Sequence, residues 1–195
     1  MLEIRLQTKS EKVINSRLVA YSILFFRVCH YIKAKTKGRN MLVKTKYFGE
    51  IDLDTDKVIT FPQGIMGFEE YKKYTILYDV EDGGKANISW LQSLDEQALA
   101  LPVINPFLVK EDYNPIVEDE ILKPLGEINE QNLILLLSLT VPADITNMSV
   151  NLKAPFIINS DTRKGSQVIL ENQNYEVKYY IYDKMKKLKE EKGEK

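Results

Sequence analysis

The chain has 195 residues, a formal net charge of −1 and a hydrophobic content of 44%. This length suits one domain, with or without short appendages. A single cysteine, Cys29, excludes a disulfide framework, and a single histidine, His30, excludes most zinc sites and nearly all histidine-dependent nucleophilic catalysis.

The small net charge hides an uneven distribution along the chain. Residues 1–40 contain nine Lys or Arg and two Asp or Glu, which leaves 18 basic and 26 acidic residues in 41–195. An acidic body repels phosphates, so direct binding of nucleic acid is not expected. Its charge suits a basic protein partner instead.

Residues 1–40 differ from the rest and allow three interpretations. The apolar run 18–26 with basic flanks is similar to a signal peptide, but it is short and no small-residue cleavage site follows it. The segment also suits an amphipathic helix on a membrane surface, although no run is long enough for a stable membrane span. The abrupt charge change at residues 39–41 favours a third interpretation, in which Met41 is the true start. Mass measurement of the native N-terminus distinguishes these interpretations.

From Met41 onward the pattern is that of short strands separated by turn residues. The predicted strands cover 42–48, 50–53, 58–61, 74–80, 88–94, 99–104, 133–141, 150–152, 156–159, 167–170 and 175–182. One helical turn is predicted at 67–71, a helix at 118–125, and a turn at 162–165. This pattern predicts an all-β, mostly antiparallel, small β-barrel-like domain over 41–182 with one or two short helices. Residues 183–195 are expected to form a charged, helical C-terminal tail.

The stretch 61–69, with sequence FPQGIMGFE, follows a predicted strand and carries two glycines and a proline. Proline ends strands, and glycine serves where φ is positive or the backbone approaches closely. The structural interpretation is a strand-ending turn that is anchored by its apolar residues. The functional interpretation is a loop that is presented to a partner, with Gln63, Glu69 and Glu70 facing outward.

Other polar residues also carry two interpretations. Trp90 is expected in the core, and Gln92 shares its face of the strand, where it either bonds backbone or faces a partner. Asn151 and Asn159 flank a predicted strand and can satisfy open backbone groups. The triplet Asp52, Asp54 and Asp56 resembles the start of a calcium loop but lacks the glycine and glutamate that such loops need, so solvated turn carboxylates are expected.

With these segments identified, the chain resembles the flagellar assembly factor FliW family. Five blocks carry the resemblance, in the family's order: FPQGIMGF at 61–68, LQS at 91–93, VINP at 103–106 with DY at 112–113, NLKAPFIIN at 151–159, and RKG at 163–165 with QVIL at 167–170. The blocks span nearly all of the body, and residues 1–40 have no counterpart in the family pattern.

The resemblance implies a barrel-like fold, a cytoplasmic protein, no enzyme activity and no cofactor. It also implies two protein partners, flagellin before its export and the translational regulator CsrA, which FliW-like proteins hold off flagellin messenger RNA. Partner exchange then couples flagellin translation to flagellar assembly. The candidate contact residues are Gln63, Gly64, Gly67, Phe68, Glu69, Glu70, Gln92, Asn105, Asn151 and Asn159. The acidic candidates also include Asp79, Glu81, Asp82, Asp95 and Glu96.

Two other function classes remain open from the residues alone. The aromatic-rich strands suit a β-barrel module that binds a carbohydrate or another small ligand, which requires an apolar pocket with convergent polar groups. An enzyme would require a pair of carboxylates that the fold brings together in a cleft, and no catalytic motif supports one.

Overall fold

The computed structural model describes residues 2–3, 39–78, 87–171 and 174–191. Within these ranges the strands are β1 Leu2–Glu3, β2 Asn40–Lys44, β3 Glu50–Asp54, β4 Ile59–Thr60, β5 Lys73–Leu77, β6 Ile88–Ser93, β7 Ala100–Ile104, β8 Ile116–Val117, β9 Leu133–Thr140, β10 Ser149–Val150, β11 Phe156–Asn159, β12 Lys164–Gln167 and β13 Tyr179–Tyr180. The α-helices are α1 Asp119–Leu122 and α2 Tyr182–Glu191, and short 3-10 helices cover Thr55–Lys57, Pro106–Leu108, Lys123–Leu125 and Ile145–Asn147.

Strand pairing closes into a ring. The order β4, β5, β6, β7, β9, β11, β12 returns to β4, because β12 pairs with β4 and β11 pairs with β9. Every pairing in this ring is antiparallel except the parallel contact between Lys164 and Thr60. The predicted all-β, mostly antiparallel, barrel-like fold is therefore confirmed.

One face of the ring strands forms an inner core. Leu136 of β9 lies opposite Phe156 of β11, and Leu91 of β6 lies opposite Leu101 of β7. Period-two alternation places these side chains on one face. Leu91, Leu136 and Phe156 belong to a single buried cluster, and the partly buried Leu101 packs against it. The fully enclosed members of this cluster are Phe61, Ile65, Tyr74, Leu91, Val103, Leu136, Phe156 and Ile158.

The opposite face of β7, β9 and β11 forms a second core, which later segments of the chain cover. Leu137 and Ile157 point into this core, and α2 contributes Met185 to it. Tyr113 is buried there, and its hydroxyl donates to the carbonyl oxygen of Leu152 at 2.8 Å. The sheet is therefore covered on this side, which explains why β9 reads as a nearly continuous apolar run.

The turn that joins β2 and β3 contacts β6. The backbone N–H of Lys46 donates to Gln92 Oε1 at 3.0 Å, and the Tyr47 ring packs on Trp90 with centroids 4.2 Å apart. Trp90 is only half-buried, so its predicted place in the core is wrong; Leu91, one position along, fills the ring instead.

Several predicted element bounds differ from the structure. The predicted strand at 175–182 is reduced to β13, because α2 already begins at Tyr182. Strand β2 ends at Lys44 because the Thr45 hydroxyl accepts from Phe48 N–H and donates to the Gly49 carbonyl, closing a turn. Residues 67–71 form turns rather than a helical turn. Strand β12 occupies 164–167, not 167–170, since Gly165 lies inside the strand rather than in a turn.

Other elements follow the sequence closely. The predicted helix at 118–125 corresponds to α1 and the 3-10 helix that follows it, ending at Gly126 with φ of 88°. The predicted helical tail corresponds to α2, where Lys184 Nζ donates to the Val109 carbonyl and to the Tyr179 hydroxyl. No helix in the described ranges has the length and apolar character needed to cross a membrane. Residues 4–38 lie outside the described residues, so the predicted division at residue 40 stays a prediction.

Candidate partner-binding site

The stretch 61–69 is anchored at one end of the ring by Phe61. This side chain is fully buried and meets Tyr74 and Phe156 edge-on, with centroids 5.4 and 6.2 Å away. The Phe61 ring also covers Gly165 so closely that a Cβ there would lie 2.6 Å from it. The predicted strand-ending turn therefore lies at one end of the ring and is anchored there by the buried Phe61 side chain.

Residues 62–69 form a tight loop that projects from the buried Phe61 ring. Ile65 is buried and bridges to Phe68, whose N–H donates to the Ile65 carbonyl at 2.7 Å, so Met66 and Gly67 form the exposed tip. Gly64 has φ of 74° and faces the Glu69 backbone, which a Cβ would approach to 2.6 Å. Only glycine fits that position, because both the positive φ and the close approach exclude a side chain.

Side-chain oxygens hold the two amide groups of the tip. Met66 N–H donates to Gln167 Oε1 at 3.0 Å, and Gly67 N–H donates to Glu69 Oε1 at 2.8 Å. The backbone bond from Gly67 holds the pKa of the Glu69 carboxyl below its usual value. The loop is thus fixed in shape before any partner arrives, which lowers the entropic cost of binding.

The predicted outward residues are exposed, and acidic groups from the next turn lie beside them. Gln63, Glu69 and Glu70 are exposed. Asp95 Oδ2 accepts from the N–H groups of Lys72 and Lys73 at 2.7 and 2.9 Å, which ties the turn after β6 to the start of β5. Asp79, Glu81 and Asp82 lie outside the described residues.

The fully enclosed Tyr74 lies beneath this acidic end of the ring. Burial, followed by the nearby charges of Asp95 and Glu70, raises the pKa of Tyr74 to about 12. Its hydroxyl has no hydrogen-bond partner among the residues that the structure describes. Tyr74 therefore stays neutral at physiological pH and acts as a core side chain.

The polar side chains of Gln92 and Asn105 bond to the backbone of their own chain. Gln92 is fully buried, and its amide donates to backbone carbonyls of Ser93, Gln97 and Leu99 at 2.9 to 3.1 Å. Asn105 Oδ1 accepts from Phe107 N–H at 3.0 Å and caps the 3-10 helix that follows. Both polar groups are directed at their own chain.

Asn151 and Asn159 are used in the same way. Asn151 Oδ1 accepts from the N–H groups of Lys153 and Ala154 at 3.0 and 3.1 Å. Asn159 is fully buried; it donates to the carbonyls of Leu125 and Glu127, and its Oδ1 accepts from the N–H groups of Asp161 and Thr162. The structure brings together the candidates from Gln63 to Glu70 in one loop, whereas the polar groups of Gln92, Asn105, Asn151 and Asn159 bond to nearby backbone.

Sequence reasoning did not single out the residues that hold the loop from the far end of the chain. Gln167 and Gly165 lie in the fifth block of the resemblance, about a hundred positions from the loop that they contact. Their membership in that block is the one signal that could have selected them, since no spacing rule links residues so far apart.

Two carboxylates of the aspartate triplet make contacts within the fold. Asp54 Oδ1 accepts from Asp56 N–H at 2.9 Å and caps the 3-10 helix, and Asp56 pairs with Arg163 Nη1 at 2.5 Å. Among the described residues no three His, Cys, Asp or Glu side chains are grouped to hold a metal ion.

Comparisons with known proteins agree on one family. The family model described as FliW protein matches residues 42–181. The flagellar assembly factor FliW of Lachnoclostridium phytofermentans is 55% identical over 155 residues, covering 79% of this chain and 99% of the relative. The factor of the same name from Lachnospira eligens is 54% identical over 148 residues, covering 75% of this chain and 98% of the relative.

A solved structure gives the same result at the level of the fold. The crystal structure of the flagellar assembly factor FliW superimposes with a TM-score of 0.67 and 35% identity, covering 72% of this chain and 96% of that one. The match spans most of both chains, as the sequence matches do. On these grounds the chain belongs to the FliW protein family of flagellar assembly factors.

Proposed function

We propose that this protein is a cytoplasmic, non-enzymatic regulator that binds flagellin and the translational regulator CsrA in turn. When flagellin accumulates it occupies the protein, CsrA is released, and flagellin translation falls. Export of flagellin frees the protein to bind CsrA again. The regulation then depends on a difference in affinity between two protein partners and needs no catalytic step.

Family membership over residues 42–181 is the observation that carries this proposal. The charge of the body supports it, because residues 41–195 carry 26 acidic and 18 basic side chains. Such a body attracts a basic RNA-binding protein and repels RNA from the resulting complex. Interference with RNA binding then needs no direct contact between this protein and the nucleic acid.

The loop at the ring's end supplies a surface suited to protein recognition. Its backbone is fixed by Gly64 and by the bonds to Gln167 and Glu69, while its tip at Met66 and Gly67 is exposed. Gln63, Phe68 and Glu70 complete this presented surface. We propose it as a partner contact, because a rigid loop that combines apolar and acidic groups loses little entropy on binding.

Calorimetric titration with purified flagellin and with purified CsrA tests the function directly. We expect binding to each partner, and displacement of CsrA when flagellin is added to the complex. Circular dichroism of the same preparation establishes that the protein is folded. A folded protein that bound neither partner would rule the proposal out.

The ring interior gives no support to the small-ligand alternative. That alternative requires an apolar pocket with convergent polar groups. Large side chains from β4, β5, β9 and β11 instead meet at the centre, with Phe61 against Tyr74 and Phe156. No second function is therefore proposed.

A further inference from the structure

In the part of the chain that the structure describes, both outer edges of the hairpin β2–β3 are unpaired. Among the described residues it forms a separate two-stranded sheet, and neither strand pairs with any other. Thr45 N–H donates to the Gly49 carbonyl, and Thr55 N–H donates to the Arg39 carbonyl. These two bonds determine which residue pairs of the hairpin are hydrogen-bonded to each other. Hydrogen-bonded pairs alternate with pairs whose N–H and C=O groups face away.

The alternation of hydrogen-bonded and non-bonded pairs shows which N–H and C=O groups of β3 point away from β2. The register places Glu50 opposite Lys44 and Asp52 opposite Leu42, in the pairs that are not hydrogen-bonded to each other. The N–H and C=O groups of Glu50 and Asp52 therefore point away from β2. They are available to a further strand, whereas those of Ile51 are already used within the hairpin.

The side chains at this edge are acidic and exposed. Glu50 and Asp52 lie two positions apart on the same face of β3, and both are exposed. Lys44 and Asn40 share that face on β2, and Asn40 Nδ2 donates to Asp52 Oδ2 at 2.8 Å. Asp54 ends the row. The face thus carries three carboxylates and one ammonium group.

We propose that the free edge of β3 binds an extended, lysine- or arginine-rich segment of a protein partner by β-addition. The identity of this partner as the basic RNA-binding protein rests on the proposed function. An added strand lies about 4.8 Å from β3. Basic residues at alternate positions then lie directly opposite Glu50 and Asp52, at the cross-strand spacing where opposite charges attract.

The carboxylates of Glu50 and Asp52 also determine which strands can pair with the edge of β3. Charged edge strands discourage indiscriminate pairing, because an apolar or acidic strand leaves these carboxylates desolvated or repelled. A basic strand satisfies both the carboxylates and the open backbone groups. The edge thus rejects most strands and accepts one class, which combines attraction and repulsion in one surface.

An NMR titration of the full chain with two peptides of equal composition tests this mode of binding. One peptide, acetyl-Lys-Val-Lys-Val-Lys-Val-amide, alternates its charges, and the other, acetyl-Lys-Lys-Lys-Val-Val-Val-amide, does not. We expect the alternating peptide to bind at least threefold more tightly and to slow hydrogen exchange at the amide of Asp52. The amide of Ile51, already bonded within the hairpin, should change little.

Two double variants with the same loss of charge separate the edge from net charge. We expect E50Q/D52N to weaken binding of the alternating peptide at least fivefold, because it removes both cross-strand charge pairs. The control E120Q/E130Q removes two exposed carboxylates elsewhere and should change affinity less than twofold. Thermal unfolding of both variants establishes that they are folded.

Equal binding of the two peptides, or unchanged exchange at Asp52, would overturn the inference. Titration with CsrA keeps this outcome separate from the proposed function. If CsrA bound wild type and E50Q/D52N equally well, the edge would not be the contact, while the proposed function would stand. If neither CsrA nor flagellin bound the wild type, the proposed function would fall, and the peptide titration would still decide for or against β-addition.

Discussion

At the scale of single residues, the two glycines of the presented loop share a positive φ but differ in their surroundings. Gly64 has φ of 74° and faces the Glu69 backbone, whereas Gly67 has φ of 81° and nothing within 4 Å of its absent Cβ. Glycine is therefore required at position 64 by both the positive φ and the close approach of the Glu69 backbone, whereas at position 67 only the positive φ requires it. Sequence alone gives them the same meaning, since both read as turn glycines.

Alanine substitution should separate these two constraints. We expect Gly67→Ala to lower the free energy of unfolding by about 1 kcal/mol, which is the strain of a left-handed conformation. Gly64→Ala should cost about 3 kcal/mol, because overlap with the Glu69 backbone adds to the same strain. Urea denaturation of both variants measures the difference, and equal losses would contradict the close approach at Gly64.

Tyr74 presents a buried hydroxyl that lacks a hydrogen-bond partner among the described residues. Burial of an unpaired hydroxyl is unfavourable. We therefore expect Tyr74→Phe to raise the free energy of unfolding by about 1 kcal/mol while keeping the ring contact with Phe61. Thermal or urea unfolding measures this, and a clear loss of stability would show that the hydroxyl has a partner.

The raised pKa of Tyr74 also gives stability a dependence on alkaline pH. Its pKa is about 12 in the folded protein, above the ordinary tyrosine value of 10.0. Between these values the unfolded chain releases the proton first, so stability falls as pH rises through this range. The fall should be shallower in Tyr74→Phe than in wild type, as measured by urea unfolding at several pH values; parallel curves would contradict the shift.

At the scale of elements, the strongly patterned segments are the ones that sequence predicts well. Strand β9, the strand at 156–159 and the helix before Gly126 lie where their apolar runs and end signals place them. The errors occur where a distant contact overrides a local signal. Gly165 reads as a turn residue, yet it lies in β12 because the Phe61 ring requires an absent side chain there.

In the candidate site, too, local signals predict the loop, whereas distant contacts determine how it is held. Glycine and proline predict a loop at 61–69, and the structure has one, but its fixation by Gln167 depends on tertiary proximity. For Gln92 and Asn159, burial and hydrogen bonds decide the role, and neither follows from residue type. Sequence could state the structural and functional alternatives for these residues but could not choose between them.

The elements joined by Asn159 supply a test of its role. Its side chain satisfies the carbonyls of Leu125 and Glu127 and two N–H groups of the following turn. We expect Asn159→Ala to cost about 2–4 kcal/mol, because buried polar groups lose their partners. Asn105→Ala, which removes a single helix cap, should cost about 1 kcal/mol.

Urea denaturation measures both losses, and titration with each partner under native conditions completes the comparison. We expect folded Asn159→Ala protein to bind its partners as wild type does. Weakened binding without a loss of stability would assign Asn159 to a partner contact instead.

At the scale of the whole molecule, the acidic body predicts salt-dependent binding of a basic partner. Glu70 is the simplest residue to reverse, since the carboxylate of Glu69 also accepts from Gly67 N–H and its loss would alter the loop. We expect Glu70→Lys to weaken CsrA binding about threefold at low salt, with less effect at high salt, where exposed charges are screened.

Titration at two salt concentrations measures this effect, with Glu130→Lys as a control of equal charge change at another exposed position. The control should have a smaller effect on affinity at both concentrations. If affinity and salt slope were the same in Glu70→Lys as in wild type, the presented loop would not be the electrostatic contact.

The bond between Met66 and Gln167 has a consequence for the order of events during synthesis. The loop leaves the ribosome about a hundred residues before the glutamine that holds its tip and the glycine on which its anchor ring rests. A nascent chain therefore lacks the finished loop until β12 has emerged and the ring has closed. Partners that recognise this loop would meet only completed molecules, so truncated chains would not compete for them.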